Sequence, residues 1–239
     1  MPTSTAAPSK PRADSLRPEL TRLPELTPRR LANRARIARI CAALIRNLTR
    51  ATFSGISNFP AAGPGIIALN HLGDADVAMI ATALPVQPEA LAKVELYDFP
   101  FVGWLVNTYG VIWVHRGTAD RRALRAALDG LADGRFIAIA PEGRQSITGS
   151  LEEGTGGAAY LALKADVPVI PLALTGTQDS NVYGNWRRFR KPALTLTIGE
   201  PFRLEEVGSP SETLHAGADA IMRRIAALLP ESYRGVYVD

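Results

Sequence analysis

The chain has 239 residues and an apolar content of 46%, which suffices for one globular domain with a substantial core. Its single cysteine, Cys41, excludes an intramolecular disulfide framework and a zinc site built from several cysteines. The net charge of +4 hides an asymmetry, because residues 1–50 carry a net +8 and residues 51–239 a net −4. A basic segment of this kind is typical of proteins that bind nucleic acid or an anionic membrane leaflet.

The apolar runs of the chain are short. None approaches the ~18 residues that a membrane-spanning helix needs, and the polar N-terminus, rich in Pro and Ser, lacks the apolar core of a secretory signal. We therefore expect a cytoplasmic protein that is either soluble or peripherally bound to a membrane.

The first 50 residues are predicted to form a tail and a helix. Residues 1–26 are rich in proline without periodicity, which predicts disorder. Thr27 and Pro28 are typical of a helix start, and residues 27–50 are predicted to form a basic amphipathic helix. Its apolar face would hold Ile37, Ile40, Cys41, Leu44, Ile45 and Leu48, and its basic face Arg29, Arg36, Arg39, Arg46 and Arg50. The helix either docks on the domain or lies in a bilayer interface, and partial docking would allow both.

From Gly65 onwards, short apolar runs alternate with helical patterns. Strands are predicted at Ile66–Leu69, Ala90–Val94, Val111–Val114, Phe136–Ala140, Val167–Leu174 and Ala193–Ile198. Helices are predicted from about Asp74, at Phe99–Asn107, Thr118–Asp133 and Gly157–Lys164, and from the capping box Ser209–Glu212. This alternation predicts a single α/β domain with a mixed, largely parallel sheet flanked by helices.

The first candidate site is the segment Asn70–Asp76, which follows a strand and opens a helix. Active-site groups of α/β proteins favour the carboxyl ends of strands. The spacing His-x4-Asp lets Asp76 face the His71 ring, where a carboxylate fixes the tautomer and raises the basicity of the other nitrogen. The alternatives are a structural histidine beside a helix cap, or a metal site of His71, Asp74 and Asp76.

Three further blocks follow predicted strands or form one. Arg116 ends a strand and offers a planar fork suited to phosphate. Glu142, Gly143 and Arg144 stand in a turn where glycine allows close approach of a ligand. The run Val167–Leu172 contains two prolines, which suggest shaping of a strand edge. Taken singly, Arg116 is better explained as an exposed strand-end charge, and the alternative for the turn is an ordinary turn without a ligand.

The four blocks, in this order, resemble the motifs of the lysophosphatidic acid acyltransferase (1-acylglycerol-3-phosphate O-acyltransferase) family: N-H-x4-D, G-x5-R, P-E-G and V-P-x-x-P. The segments Phe101–Leu105 and Gly199–Pro201 resemble further parts of that family. The resemblance covers about residues 51–205 and implies that residues 51–239 form an acyltransferase domain.

The resemblance implies a role for each block. His71 would be the catalytic base and Asp76 its orienting partner. Arg116 would hold the phosphate of the acceptor, and Glu142, Gly143 and Arg144 would bind the acceptor. Pro171 lies in the block associated with the acyl group. Two departures concern the acceptor: Arg144 and Gln145 stand where Thr-Arg is common, and His115 stands where an acid is common.

The implied reaction is acyl transfer from acyl-CoA or acyl-carrier protein to a lysophospholipid hydroxyl, with 1-acylglycerol-3-phosphate as the expected acceptor. No metal, redox cofactor or nucleic acid is implied, and the expected location is the anionic inner face of the cell membrane. Backbone N–H groups near His71 are candidates for stabilising the oxyanion. The alternatives are a glycolipid or amino-acid lipid acceptor, a non-catalytic membrane-surface protein of this fold, and a nucleic-acid-binding protein.

Two other patterns compete with this interpretation. Gly154–Ala159 matches the dinucleotide fingerprint G-x-G-x-x-A, but no strand is predicted before it. Trp186–Lys191 mixes aromatic and basic residues, which suits a membrane surface, nucleic acid or a solvated loop.

Overall fold

The computed structural model describes residues 17–115 and 120–238. Within these residues, seven strands form one sheet with helices on both faces, which confirms the predicted α/β fold. The helices are α1 (Pro28–Leu48), α2 (Ala75–Ala83), α3 (Pro100–Tyr109), α4 (Arg121–Ala132), α5 (Gly157–Ala165), α6 (Asp179–Trp186) and α7 (Pro210–Ala227). The strands are β1 (Arg50–Ser54), β2 (Gly65–Leu69), β3 (Glu89–Lys93), β4 (Ile112–Val114), β5 (Phe136–Ile139), β6 (Val169–Thr175) and β7 (Ala193–Ile198).

The strands lie in the order β1-β7-β6-β2-β5-β3-β4. Only the β6–β7 pair of these strands is antiparallel; every other neighbouring pair is parallel. The carboxyl ends of β2, β4, β5 and β6 therefore lie along one edge of the sheet, together with the beginning of β7. The predicted site blocks follow β2, β4 and β5, so the topology directs them to this edge.

The core is divided by the sheet into two layers. Successive residues of a strand point to opposite faces, and in β2 Ile66 and Ala68 pack in the layer of α4, α5 and α7. Ile67 and Leu69 pack in the layer that includes residues of α1, α2 and α6. All five residues of β2 are buried, so this central strand is held from both faces and the loop that follows it starts from a rigid position.

The predicted amphipathic helix is confirmed in part. Thr27 caps α1 by accepting a hydrogen bond from the Arg30 N–H, but the helix ends at Leu48 and Arg50 already belongs to β1. The helix packs against α2 and α3 and buries Ile45, yet Ile40 remains 59% exposed. Docking of α1 is thus partial. In the part of the chain that the structure describes, no helix has the length and apolar content to cross a bilayer.

A buried ion pair fixes α1 to the sheet. Arg34 and Glu89 form a bidentate pair, with Nη1–Oε1 at 2.9 Å and Nη2–Oε2 at 2.7 Å, and their side chains are 2% and 1% exposed. Arg34 also donates to the carbonyl oxygens of Tyr109 and Gly110, and Arg135 donates to Glu89 at 3.2 Å. The predicted basic face did not include Arg34, which lies with Ile45 on the buried side of this helix.

The segment before α1 differs from the prediction. Residues 1–26 were predicted to be disordered, but the described part, residues 17–26, lies against the domain. Arg17 forms a 2.7 Å ion pair with Asp98, and Arg135 donates to the Pro24 carbonyl at 2.8 Å. Residues 1–16 of the predicted tail lie outside the described residues.

Candidate active site

His71 and Asp76 are in contact at the carboxyl end of β2. The His71 Nδ1 lies 2.7 Å from Asp76 Oδ2, and the same oxygen accepts hydrogen bonds from the backbone N–H groups of Leu72 at 2.7 Å and Gly73 at 3.1 Å. Asp76 is 1% exposed, whereas the His71 side chain is 26% exposed. A carboxylate accepts only, so Nδ1 carries the proton of this hydrogen bond, and in the neutral ring Nε2 is then the nitrogen with the free lone pair.

The backbone N–H groups at the start of α2 were expected to stabilise an oxyanion, but they are hydrogen-bonded within the protein. The N–H groups of Leu72 and Gly73 are bound to Asp76, and that of Asp74 donates to Asp179 Oδ1 at 2.9 Å. The proposal that N–H groups beside His71 stabilise an oxyanion is therefore wrong for these three groups. They hold the carboxylate instead.

Asn70 joins the His71 loop to β6. Its side chain is buried and donates to the Leu174 carbonyl at 2.9 Å while accepting from the Leu174 N–H at 2.8 Å. This reciprocal pair continues the β2–β6 ladder by one residue through a side chain. The peptide that leads into His71 is thereby fixed, a role that the sequence pattern did not indicate.

The turn after β5 packs onto the same loop. Gln145 Nε2 donates to the Leu72 carbonyl at 2.9 Å and to Asp179 Oδ2 at 3.1 Å, and the Ser146 N–H donates to the His71 carbonyl at 2.8 Å. Gln145 was singled out only as a departure from the family pattern. In the structure it is the residue of this turn whose side chain supports the loop of His71.

Position 73 requires glycine because neighbouring atoms lie too close for a side chain, and not because of its backbone angles. A Cβ at this position would lie 2.3 Å from the Thr177 carbonyl oxygen and 2.7 Å from Asp179 Oδ1. The loop of His71 and the segment after β6 thus pack too closely for any side chain at this residue.

Glu142 is a buried carboxyl beside His71. Burial raises its pKa to about 7, and the negative charge of Glu152 acts in the same direction. The hydrogen bond from the Glu152 N–H acts against this rise in pKa, as do the nearby backbone of His71 and the charge of His71. Oε2 accepts from the Glu152 N–H at 2.9 Å, while Oε1 is buried and has no partner among the described residues. A polar ligand could bind this free oxygen.

The remaining predicted site residues occupy different kinds of position. Gly143 has φ of +72°, which favours glycine. Arg144 is 53% exposed and donates to Glu152 Oε2 at 2.5 Å, so its charge is already paired. Pro171 is buried in β6 opposite Ala68. Arg116 lies outside the described residues, so its role as the phosphate ligand stays a prediction.

A second His-x4-Asp pair follows β4. His115 Nδ1 lies 3.1 Å from Asp120 Oδ2, and Asp120 Oδ1 caps α4 by accepting from the N–H groups of Arg122 and Ala123. The predicted start of this helix at Thr118 lies outside the described residues. The spacing could have revealed this pair, because it repeats that of His71 and Asp76, but sequence reasoning missed it.

The glycine-rich run before α5 serves packing. Thr155 donates to the Pro141 carbonyl through both its N–H and its hydroxyl at 2.8 Å, and a Cβ on Gly154 would lie 2.5 Å from Met222 Cγ. The preceding strand, β5, ends at Ile139, so the run does not follow a strand directly and the nucleotide interpretation loses its structural context. Among residues 17–115 and 120–238, no three His, Cys, Asp or Glu side chains are grouped to hold a metal ion.

The sequence model of the acyltransferase family matches residues 50–175, from β1 to the end of β6. The chain belongs to this family. It is 31% identical over 162 residues to the lyso-ornithine lipid O-acyltransferase of Pseudomonas aeruginosa, covering 66% of this chain and 60% of that protein. It is 29% identical over 186 residues to 1-acyl-sn-glycerol-3-phosphate acyltransferase alpha of Mus musculus, covering 76% of this chain and 64% of that protein.

A solved structure shares the fold. The 1-acyl-sn-glycerophosphate acyltransferase of Thermotoga maritima aligns with a TM-score of 0.62 and 23% identity, over 85% of this chain and 84% of that one. The chain spans less than two thirds of the length of the two curated relatives described above.

Proposed function

We propose that the protein transfers a fatty acyl group from the thioester of acyl-CoA or acyl-carrier protein to the hydroxyl of a lysophospholipid, in phospholipid synthesis. The observation that carries the proposal is the 2.7 Å contact between His71 Nδ1 and the buried Asp76 carboxylate. It lies at the sheet edge in a chain of the acyltransferase family.

The proposed reaction follows from the tautomer of His71 that carries its proton on Nδ1. His71 Nε2 accepts the proton of the lysolipid hydroxyl while that oxygen attacks the thioester carbonyl. Asp76 stabilises the resulting imidazolium through Nδ1–H. As the tetrahedral intermediate collapses, the C–S bond breaks and the leaving sulfur takes the proton from Nε2. The products are the new ester and a free thiol, and no protein nucleophile is needed.

The proposed acceptor is 1-acylglycerol-3-phosphate, with Arg116 as the phosphate ligand. Arg116→Ala should therefore raise the KM for this lysolipid and leave the KM for acyl-CoA unchanged. Two observations favour an amino-acid lipid as a second candidate: one relative is named a lyso-ornithine lipid O-acyltransferase, and the guanidinium of Arg144 is already paired with Glu152.

The experiment is an acceptor panel. The protein is incubated with labelled acyl-CoA or acyl-carrier protein and with 1-acylglycerol-3-phosphate, lyso-ornithine lipid or a glycolipid acceptor, and the products are identified by mass spectrometry. Acylation of the phosphate-bearing lysolipid supports the proposal. Turnover of lyso-ornithine lipid alone would show that the phosphate acceptor is wrong, and no transfer to any acceptor would favour the non-catalytic alternative.

We further propose that the protein binds the anionic inner face of the cell membrane through α1 and α3. These helices pack together and expose apolar side chains, among them Leu44, Phe101 and Trp104. The rings of Phe101 and Trp104, which are 72% and 61% exposed, lie 6.2 Å apart. Exposed aromatic side chains beside the arginines of α1 suit the interface of an anionic bilayer.

Vesicle binding tests this surface. Deleting residues 1–50 would also remove Arg34 from its buried pair, so substitutions are the sharper probe. Leu44→Asp with Trp104→Asp should weaken cosedimentation with phosphatidylcholine–phosphatidylglycerol vesicles by at least about tenfold, because each apolar side chain contributes roughly 1.5–3 kcal/mol when buried. The control is Val207→Asp, an exposed apolar residue before α7. Equal binding by all three proteins would exclude this surface.

A further inference from the structure

A cleft of about 770 Å³ opens beside the His71 loop, at the carboxyl end of β6. Its walls come from Leu72, the loop that begins at Gln145, the start of α6 and the beginning of β7. In the sheet, β6 and β5 lie on opposite sides of β2. The segment that continues the Glu142 turn lines the cleft from Gln145 onwards, so the chain after β5 reaches across β2 to the end of β6.

The lining of the cleft is polar but offers no free charge. Hydroxyl and amide side chains dominate it, and no Lys or Arg lines it. Its one carboxylate, Asp179, is occupied by the Asp74 N–H and by Gln145 Nε2. Among the described residues, the side chains of Gln178 and Ser180 have no hydrogen-bond partner and are available to a ligand. Such a lining suits neutral amide and hydroxyl groups, and it lacks the cation that a phosphate needs.

We propose that this cleft holds the pantetheine arm of the thioester donor, the part that acyl-CoA and acyl-carrier protein share. The inference rests on the proposed acyl transfer and names the donor side of that site. The arm is uncharged, carries amides and a hydroxyl, and ends at the sulfur of the thioester. The cleft has the volume of a typical small-molecule site, and Leu72 places its wall one residue from His71.

A basic loop stands at the β7 end of the cleft. Arg187, Arg188, Arg190 and Lys191 follow α6, and none of the ion pairs between described residues involves them. Lys191 precedes Ala193, a residue of the cleft wall, by two positions, a reach of at most ~7 Å. The carrier end of the donor is anionic in both sources, as the phosphates of CoA or as the acidic surface of a carrier protein. This loop gives that end its counter-charge.

The cleft is tested by filling it. Ser180 is the second residue of α6 and is exposed into the cleft, so Ser180→Trp should block the arm. Ser211, the second residue of α7, is equally exposed and lies outside the cleft, so Ser211→Trp is the matched control. Kinetics with acyl-pantetheine, acyl-CoA and acyl-carrier protein should show KM raised at least about tenfold by Ser180→Trp, equivalent to ~1.4 kcal/mol. The KM for the lysolipid should not change.

A rise in the lysolipid KM instead would show that the cleft holds the acceptor headgroup, and unchanged KM values would show that it is unused. Both results overturn the proposal. Replacing Arg190 and Lys191 by Glu distinguishes acyl-CoA from acyl-carrier protein as the donor. These substitutions should raise the KM for the donor that the protein uses and leave the KM for acyl-pantetheine unchanged. Equal effects on all three donors would overturn the role of the loop.

A measurement on the unaltered protein avoids dependence on folding of the variant. Free pantetheine should bind in calorimetry and compete with acyl-CoA but not with the lysolipid. Wild-type turnover without pantetheine binding or competition overturns the cleft assignment and leaves the proposed function intact. Pantetheine binding without transfer to any acceptor would overturn the proposed function instead.

Discussion

Two His-x4-Asp pairs lie at the same edge of the sheet, and they share their local geometry. In each, a histidine follows a strand and its Nδ1 contacts the aspartate five residues on, at 2.7 Å for His71–Asp76 and 3.1 Å for His115–Asp120. The two aspartates differ in their other partners. Asp76 accepts from the N–H groups of Leu72 and Gly73, whereas Asp120 accepts from the N–H of His115 and also caps the helix that follows.

The surroundings separate the pairs further. The His71 loop follows the central strand β2, so neighbours from both sides reach it: Asn70 is bound to β6, and Gln145 and Glu142 come from the turn after β5. His115 follows β4, the last strand of the sheet, which has a single neighbour. The spacing therefore predicts the contact between the two side chains, and the position of the strand in the sheet decides what else can gather around it.

The largest expected difference is in turnover. His71→Ala should lower the acyl-transfer rate by about 10²–10⁴, the usual cost of losing a general base. His115→Ala should have a far smaller effect on kcat. Rates are compared for variants whose circular dichroism matches wild type. Equal losses in the two variants would break the distinction between the pairs.

Support from β6 is expected only at the first pair. Asn70→Ala leaves the Leu174 N–H and carbonyl unpaired, which should cost about 1–3 kcal/mol of stability and lower kcat with little change in KM. The control is Asn47→Ala, which removes a hydrogen bond on the exposed face of α1. Urea denaturation and steady-state kinetics measure both effects. A normal kcat in Asn70→Ala would show that the side chain supports the fold alone.

The pKa values of the carboxyl groups near the two histidines should be shifted in opposite directions. Burial raises the pKa of Glu142 to about 7, so the folded state binds its proton more tightly than the unfolded state. Its contribution to stability is fully present below the unfolded pKa and is lost as the pH rises towards 7, by at most ~1.4 kcal/mol per pH unit. In Glu142→Gln, urea denaturation should show a weaker pH dependence in this range; an unchanged profile would contradict the assignment.

Asp120 should give the smallest effect and the opposite sign. Burial acts to raise its pKa, but the hydrogen bonds from the N–H groups of His115, Ala123 and Arg122 and from the His115 ring together hold the pKa below its ordinary value. Its contribution is therefore present above the unfolded pKa and is lost on acidification. Asp120→Ala should cost about 0.5–2 kcal/mol at neutral pH, as for other helix caps. A large loss of kcat at unchanged stability would instead give this pair a chemical role.

The parts of the fold that the sequence predicted are those with strong local patterns. The central strands are continuous apolar runs, and α7 opens with a capping box that the structure contains. β1 was missed because Arg50–Ser54 is a half-exposed edge strand with a weak pattern; its first residue, Arg50, was assigned to the helix before it and residues 51–54 to no element. α6 was missed because its sequence, with Gly184 and two asparagines, has low helix propensity. The side chains of Asn181 and Asn185 donate to the backbone carbonyls of Gly176 and Asn181.

In the candidate site too, the sequence predicted the local contact and missed the contacts between distant parts of the chain. The contact between His71 and Asp76 is local, and its spacing predicted it. The support given by Gln145 crosses 73 positions of the chain to reach the Leu72 carbonyl, and that of Asn70 crosses 104 to reach Leu174. Such contacts depend on which strands become neighbours, and a residue pattern in one sequence does not contain that information.

The buried pair of Arg34 and Glu89 bears on how the protein could approach a lipid layer. Removing one partner of a buried pair typically costs 3–5 kcal/mol, a large part of the 5–15 kcal/mol that stabilises a whole domain. A helix held in this way does not swing outward on a hinge. A bilayer that contacted α1 would meet a rigid face of the molecule, and the height of His71 above the lipid surface would be constant. The acceptor would then have to rise out of the leaflet by a set distance, and the depth of its hydroxyl below the headgroup would become a criterion of substrate choice.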